Sequence, residues 1–143
     1  MNSKNILLTG GHSGMGLELT KILLGRGHEV GLIVRSEKRK NDALKELGDS
    51  PKLTFFLADL SKREDLKEVA QSVGSAWRKI DVLFNNAGYG LYGAVETISI
   101  EEAKRQFDVN IFGLARVTKE VIPLMREQKS GTIINTSSMG GKV

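Results

Sequence analysis

The sequence predicts an α/β fold in which a doubly wound parallel sheet carries helices on both faces. Short apolar runs rich in β-branched residues alternate with longer segments of helical period. This alternation is typical of βαβ units, and right-handed crossovers then cover both faces of the sheet. A chain of 143 residues with 40% hydrophobic composition is long enough for one core, so one domain over residues 1–143 is expected.

The elements follow one another in a regular order. Strands are expected at 6–8, 29–34, 53–57, 82–84 and 132–135. Helices are expected between them at 14–25, 39–47 and 62–77, and the last of these shows one buried face through apolar residues spaced three and four apart.

The segment 99–128 is the most strongly patterned part of the chain. Ser99 and Glu102 form the sequence signature of a capping box. Apolar residues then recur at mostly helical spacing, which predicts one long helix. Pro123 lies inside this pattern and is expected to kink or end the helix near its last turns.

Composition excludes several classes of protein. No apolar run approaches the roughly 20 residues needed to span a membrane, and the first residues do not form a secretory signal. The sequence has no cysteine and two histidines, which disfavours a disulfide scaffold or a metal site. A net charge of +4 suits an anionic small molecule but gives no reason to expect nucleic acid or membrane partners, so a cytoplasmic location is predicted.

The loop between the first strand and the first helix contains three spaced glycines. Gly10 permits a tight turn, Gly14 permits close approach of a ligand, and Gly16 permits close packing of the helix. The helix N-terminus offers unpaired N–H groups to an anion, and Ser13 adds a hydroxyl donor there. Together with Met15, these residues are expected to bind the pyrophosphate of a dinucleotide.

The spacing G-x-x-x-G-x-G is one residue longer than the common G-x-G-x-x-G pattern. Glycines also occur in strand-to-helix turns for purely steric reasons, so a plain structural turn is the alternative interpretation. The position of the loop after the first strand of an α/β pattern favours dinucleotide binding.

With this loop, the chain resembles the short-chain dehydrogenase/reductase family along essentially its whole length. Four further motifs in family order carry the resemblance: Asp59-Leu60, Asn85-Asn86-Ala87-Gly88, Val109-Asn110-Ile111-Phe112-Gly113 and Ile133-Ile134-Asn135-Thr136-Ser137-Ser138. The resemblance implies a Rossmann-like fold and adenine contacts from Asp59 and Leu60. It also implies cofactor contacts from Asn86, Ala87 and Gly88.

The end of the second strand bears on cofactor choice. Val34 occupies the position where many dinucleotide sites place an acid on the ribose 2′-hydroxyl, and Arg35 follows it. A guanidinium with no carboxylate beside it favours NADP(H) over NAD(H). Family members that use NADP often carry a second basic residue where this chain has Ser13, and Arg35 as a solvated surface charge is the alternative.

The resemblance also implies two catalytic residues. Asn110 would help to hold a water in a proton relay, and its alternative role is to satisfy a helix irregularity. Ser138 would bind the carbonyl oxygen of the substrate and stabilise charge developing there, in preference to Ser137. Serines after a buried strand are also common turn residues, which is the alternative for this pair.

The family's Tyr-x-x-x-Lys helix is not found in the 143 residues, which implies a domain incomplete at its C-terminus, with the final strands missing. We therefore expect the chain by itself to be inactive. Its fifth strand becomes an exposed edge, so we also expect self-association. The complete form is expected to be a homo-oligomer, since the segment 99–128 resembles the helix that the family uses for oligomer contacts.

The leading functional hypothesis is the NADP(H)-binding part of an oxidoreductase that transfers hydride between the nicotinamide and a carbonyl or alcohol substrate. The first alternative is a short, non-catalytic NADP(H)-binding sensor or regulatory protein. The second is a protein that retains the fold and acts through protein contacts without binding nucleotide.

Overall fold

A computed structural model describes residues 2–138, and it confirms the predicted α/β fold. Five parallel strands form one sheet in the order β3-β2-β1-β4-β5. The strands are β1 (Asn5–Thr9), β2 (Glu29–Val34), β3 (Leu53–Leu57), β4 (Val82–Asn85) and β5 (Thr132–Asn135). This strand order is that of a Rossmann-like sheet, with β5 at one edge.

Five α-helices and one π-helical segment connect the strands. They are α1 (Gly14–Gly25), α2 (Glu37–Leu47), α3 (Arg63–Trp77), α4 (Ile100–Phe107), the π segment (Asp108–Gly113) and α5 (Leu114–Glu127). Helix α2 begins two residues before the predicted start because the Ser36 side chain caps it by accepting the Arg39 N–H.

Side chains of the strands alternate between two apolar layers. Leu7 belongs to the layer beneath α3 and α5, whereas its neighbour Leu8 belongs to the layer beneath α1 and α2. Both residues are fully buried. Trp77 from α3 meets the edge of the Phe56 ring at a centroid distance of 6.0 Å, which extends the first layer toward the β3 edge.

The prediction of one continuous helix over 99–128 is wrong. The capping box of Ser99 and Glu102 is present at the start of α4, but the chain changes to π-helical geometry at Asp108 and returns to α-helical geometry at Leu114. Pro123 does not end the helix, because α5 continues to Glu127. Within residues 2–138, no helix is both long and apolar enough to cross a membrane.

The strand order places a switch point between β1 and β4. From β1 the chain moves outward to β2 and β3, and it then returns to the other side of β1 to form β4 and β5. Thr9 and Asn85 are register partners at the carboxyl ends of these central strands. Open α/β sheets bind ligands in the crevice outside such a point.

Candidate functional site

The glycine loop packs tightly against the loop that follows β4. Gly10 has a φ of 68°, and a Cβ there would lie 2.8 Å from the Cα of Ala87. A Cβ on Gly16 would overlap the carbonyl oxygen of Gly10 and lie 2.6 Å from Nδ2 of Asn86. The first turn of α1 therefore lies directly on the crevice, which agrees with the close packing expected at Gly16.

The N-terminus of α1 is open to an anion. Ser13 occupies the N-cap position in extended geometry without a capping side-chain hydrogen bond, and the first turn carries no acidic residue. Ser13, Gly14 and Met15 are exposed. Gly14 has a φ of 52°, and a Cβ there would meet no atom within 4 Å. The partial positive charge of the helix is thus directed at open space.

Thr9 fixes the loop after β4. It is buried at the end of β1, and its Oγ1 accepts hydrogen bonds from the backbone N–H groups of Asn86 and Ala87, each at 3.0 Å. Asn86 in turn donates from Nδ2 to the Gly10 carbonyl at 3.3 Å and accepts from the Thr136 hydroxyl at 3.1 Å. One asparagine side chain therefore connects the loops that follow β1 and β5.

A polar cluster lies between β4, β5 and α5. Asn85 is buried, and its Nδ2 donates to Oδ1 of Asn135 at 2.9 Å and to Oγ1 of Thr118 at 3.0 Å. These bonds fix the ends of β4 and β5 relative to each other, and Ser138 lies exposed three residues after β5.

Asn110 lies in the π segment and bonds to the backbone after Gly88. Its Oδ1 accepts the Tyr89 N–H at 3.0 Å, and its Nδ2 donates to the Tyr89 carbonyl at 2.8 Å. The side chain therefore bonds the two peptide groups that flank the Tyr89 Cα, one through each of its polar atoms. The water-holding role stays a prediction, and the helix irregularity named as its alternative is present at this residue.

A cluster of basic groups lies at the β2 side of the crevice. Arg35 and Arg39 are exposed, and neither side chain forms an ion pair within residues 2–138. Burial, and then the charges of Arg39 and Arg35, lower the pKa of His12 below its usual 6.5. Nδ1 of His12 is buried without a hydrogen-bond partner in that part of the chain. The end of β2 therefore presents two exposed guanidinium groups, whose charges act on the imidazole in the glycine loop.

Asp59 follows β3 on the same side. Its Oδ1 accepts the Ser61 N–H at 2.9 Å and the Ser61 hydroxyl at 2.8 Å. The Ser61 N–H, and to a smaller extent the hydroxyl and the charges of Lys62 and Arg35, lower the pKa of the Asp59 carboxyl. Leu60 is partly buried, and its carbonyl accepts a bond from Arg116 at 3.2 Å.

The family model described as short chain dehydrogenase matches residues 4–143. The chain belongs to this family. The predicted resemblance is confirmed, and the crevice between the loops after β1 and β4 lies at the carboxyl edge of the sheet in a short-chain dehydrogenase fold.

Similar proteins include a probable short-chain type dehydrogenase/reductase, VdlC, of Helicobacter pylori, 38% identical over 140 residues, with 96% of this chain and 49% of that protein covered. A 3-ketodihydrosphingosine reductase of Bacteroides thetaiotaomicron is 35% identical, with 99% and 49% covered. Among solved structures, an actinorhodin polyketide ketoreductase variant with NADPH is 32% identical, with a TM-score of 0.90 and with 99% and 55% covered. The chain thus spans about half the length of the curated relatives it matches.

Sequence reasoning missed two residues around this crevice, Thr9 and Gln106. For His12 the sequence leaves two interpretations open, a position facing the cofactor phosphates or an exposed loop position, and the structure half-buries the side chain. A polar residue ending an otherwise apolar strand was the available signal for Thr9, but nothing in the sequence pairs it with a loop 78 residues away.

Proposed function

We propose that this chain is the NADP(H)-binding part of a short-chain oxidoreductase that transfers hydride between the nicotinamide and a carbonyl or alcohol substrate. The observation that carries the proposal is the uncapped N-terminus of α1 at the switch point, with no acid in its first turn. Family membership supports the reaction class.

The residues present fit a dinucleotide. Side chains at Gly10 and Gly16 would fill the space in which the loops pack, and a side chain at Gly14 would project into the open crevice. Gly14, Met15 and Ser13 would meet the pyrophosphate there. Asp59 and Leu60 would lie beside the adenine, and Asn86, Ala87 and Gly88 beside the nicotinamide half.

NADP(H) is favoured over NAD(H) by the basic cluster at the end of β2. Arg35 and Arg39 are exposed at and just after the end of β2, where they would contact a 2′-phosphate. Burial, and then the charges of these two arginines, lower the pKa of His12 in the neighbouring glycine loop. The actinorhodin ketoreductase structure contains NADPH, which supports the same preference. A charge-assisted contact contributes about 1.5–3 kcal/mol, or about a ten- to hundredfold difference in affinity.

The bound cofactor would supply the hydride. Ser138 would donate a hydrogen bond to the substrate carbonyl and stabilise the developing charge. Asn110 would support proton movement while holding the Tyr89 peptide. The relatives are named as dehydrogenases and reductases, which does not favour the alternative of a non-catalytic sensor. A homo-oligomer in the cytoplasm remains part of the proposal.

The test is a binding titration of NADPH and NADH against the wild-type chain and Arg35→Ala. We expect the substitution to weaken NADPH binding at least tenfold and NADH binding less than twofold. Arg26→Ala is the matched control, because Arg26 is an exposed arginine at the opposite end of α1. Equal losses for the two cofactors would contradict the proposed preference, and no binding of either would contradict the function itself.

A further inference from the structure

The backbone N–H and carbonyl of Tyr89 are held by two side chains from one helical region. Besides the two bonds from Asn110, the Tyr89 carbonyl accepts a hydrogen bond from Nε2 of Gln106 at 3.1 Å. This carbonyl is therefore bonded by two amide donors, and the adjacent N–H by one acceptor.

Gln106 and Asn110 reach the same carbonyl because they are four residues apart and project from one face of the helix. Gln106 lies in the last turn of α4, and Asn110 lies in the π segment that follows. The start of α4 is fixed by the reciprocal capping box of Ser99 and Glu102. Gln106 thus projects from a helix with a defined start toward a loop 17 residues earlier.

The first residues of the loop after β4 are held on both sides of Gly88. Thr9 holds the N–H groups of Asn86 and Ala87 from β1, and Gln106 with Asn110 holds Tyr89. Gly88 lies between these anchors, and a Cβ there would approach Oδ1 of Asn110 to 3.3 Å. The backbone path of Asn86 to Gly88 is consequently set by contacts on two different elements.

This path lies on one half of the dinucleotide crevice. The adenosine side is built from the ends of β2 and β3, where Arg35 and Asp59 lie, and the other half begins across the switch point at β4. A change in the hydrogen bonds that Gln106 and Asn110 make to Tyr89 would therefore move the loop beside the nicotinamide half of a bound cofactor. The adenosine half is built by other residues.

We propose that Gln106 is a positioning residue that sets the loop after β4 for the nicotinamide half of the cofactor. The inference rests on the proposed NADP(H) function and adds a residue outside the family motifs. Gln106 acts through the Tyr89 carbonyl and does not itself touch the cofactor.

The experiment compares the wild-type chain with Gln106→Met, which keeps the length and helix preference of the side chain but removes the donor. Gln106→Glu gives a second variant that has no donor when ionised. Gln71→Met on the exposed face of α3 is the matched control. Each protein is titrated with NADPH and with adenosine 2′,5′-bisphosphate, which probes the adenosine half alone.

We expect both Gln106 variants to weaken NADPH binding about three- to tenfold, the range that one hydrogen bond supports. They should also reduce the change in nicotinamide fluorescence on binding, while leaving affinity for the bisphosphate within twofold. The Tyr89 N–H is bonded to Asn110, and without Gln106 the residue keeps only its bonds to that side chain. Hydrogen exchange at this amide should therefore become faster in both Gln106 variants and stay unchanged in Gln71→Met. This exchange measurement needs no cofactor and verifies that the anchor has been loosened.

Faster exchange with unchanged NADPH binding and fluorescence would overturn the inference and leave the proposed function intact. Equal weakening of NADPH and the bisphosphate would also overturn it, because that result indicates general loss of structure. A wild-type chain that binds neither probe would overturn the proposed function, and the inference with it.

Discussion

The hydroxyl oxygen of Thr9 lies 3.0 Å from the backbone nitrogen of Ala87, 78 residues later in the chain. The same oxygen accepts the N–H of Asn86, so a single side chain at the end of β1 satisfies two backbone donors of the adjacent loop. The contact connects the core of the sheet to the site, since Thr9 is 2% exposed and Asn86 in turn contacts Gly10 and Thr136.

Replacing Thr9 by valine keeps the shape of the side chain and removes the acceptor. Two partly buried N–H groups are then left without a partner, and we expect a loss of about 2–4 kcal/mol in the free energy of unfolding. Denaturant unfolding can be followed through Trp77, the single tryptophan, which packs against Phe56. Thr9→Ser retains the oxygen and should lose less than half as much, and equal losses in the two variants would refute the assigned role.

A methyl group at Gly16 should disturb the site more than one elsewhere in the same helix. The Cβ of Gly16→Ala would overlap the Gly10 carbonyl oxygen, so α1 must move away from the crevice. We expect a destabilisation of about 1–3 kcal/mol, typical of overpacking, and at least tenfold weaker NADPH binding. Denaturant unfolding and a fluorescence titration measure the two effects.

Gly25→Ala is the matched control for this prediction. Gly25 ends α1, and a Cβ there would meet no atom within 4 Å. Its unfolding free energy should change by less than about 1 kcal/mol, in the direction of greater stability, because alanine favours the helix. Similar losses in both variants would show that glycine is needed along α1 for a reason other than contact with Gly10.

The sequence was sufficient to predict the strands because each one is a short apolar run between glycine or polar breaks. It could not predict the π segment, since Phe107, Ile111 and Leu114 keep spacing that a regular helix also shows. The extra residue of a π turn is stabilised by contacts from elsewhere, here those of Asn110 to Tyr89.

The same distinction applies to the site. The role of the glycine loop could be predicted because the backbone conformations that it requires depend only on residues 9–16. The alternation of elements predicted parallel neighbouring strands, as β1 and β2 are, but it does not specify that the His12 side chain turns inward and becomes half-buried. The role of Gln106 could not be predicted either, because its partner is the backbone carbonyl of Tyr89, and every residue has such a carbonyl.

Acidification should destabilise the chain through His12. Its pKa is lowered in the folded protein by burial and by Arg39 and Arg35, so the unfolded chain takes up this proton at a higher pH than the folded chain. Above about pH 6.5 the imidazole is neutral in both states and does not affect the free energy of unfolding. As the pH falls below that value the free energy of unfolding decreases, and the decrease is complete only once the pH lies below the lowered pKa of the folded protein.

The measurement is the free energy of unfolding of the wild type and His12→Gln at several pH values between 7.5 and 5. We expect the curve of the variant to be shallower below pH 6.5, with the two proteins responding alike above pH 7. Parallel curves over the whole range would show that His12 is not the group responsible.

Self-association is expected through one of two surfaces. The first is a groove of about 600 Å³ on α4 and the π segment, where Phe107 and Phe112 are 57% and 54% exposed. The second is the β5 edge, where Ile134 is 39% exposed and where no strand within residues 2–138 pairs with the outer side of β5. Exposed apolar patches and unprotected edge strands both promote association.

Sedimentation velocity at increasing protein concentration separates these routes. The wild type should sediment as dimers or larger species, and Phe112→Glu should shift it toward monomer if the helical surface is used. Ile134→Lys should do so if the strand edge is used, because a charge on an edge strand opposes pairing. Lys119→Glu on the exposed part of α5 controls for the change in net charge. A wild type that remains monomeric at the highest concentration would contradict the prediction for both surfaces.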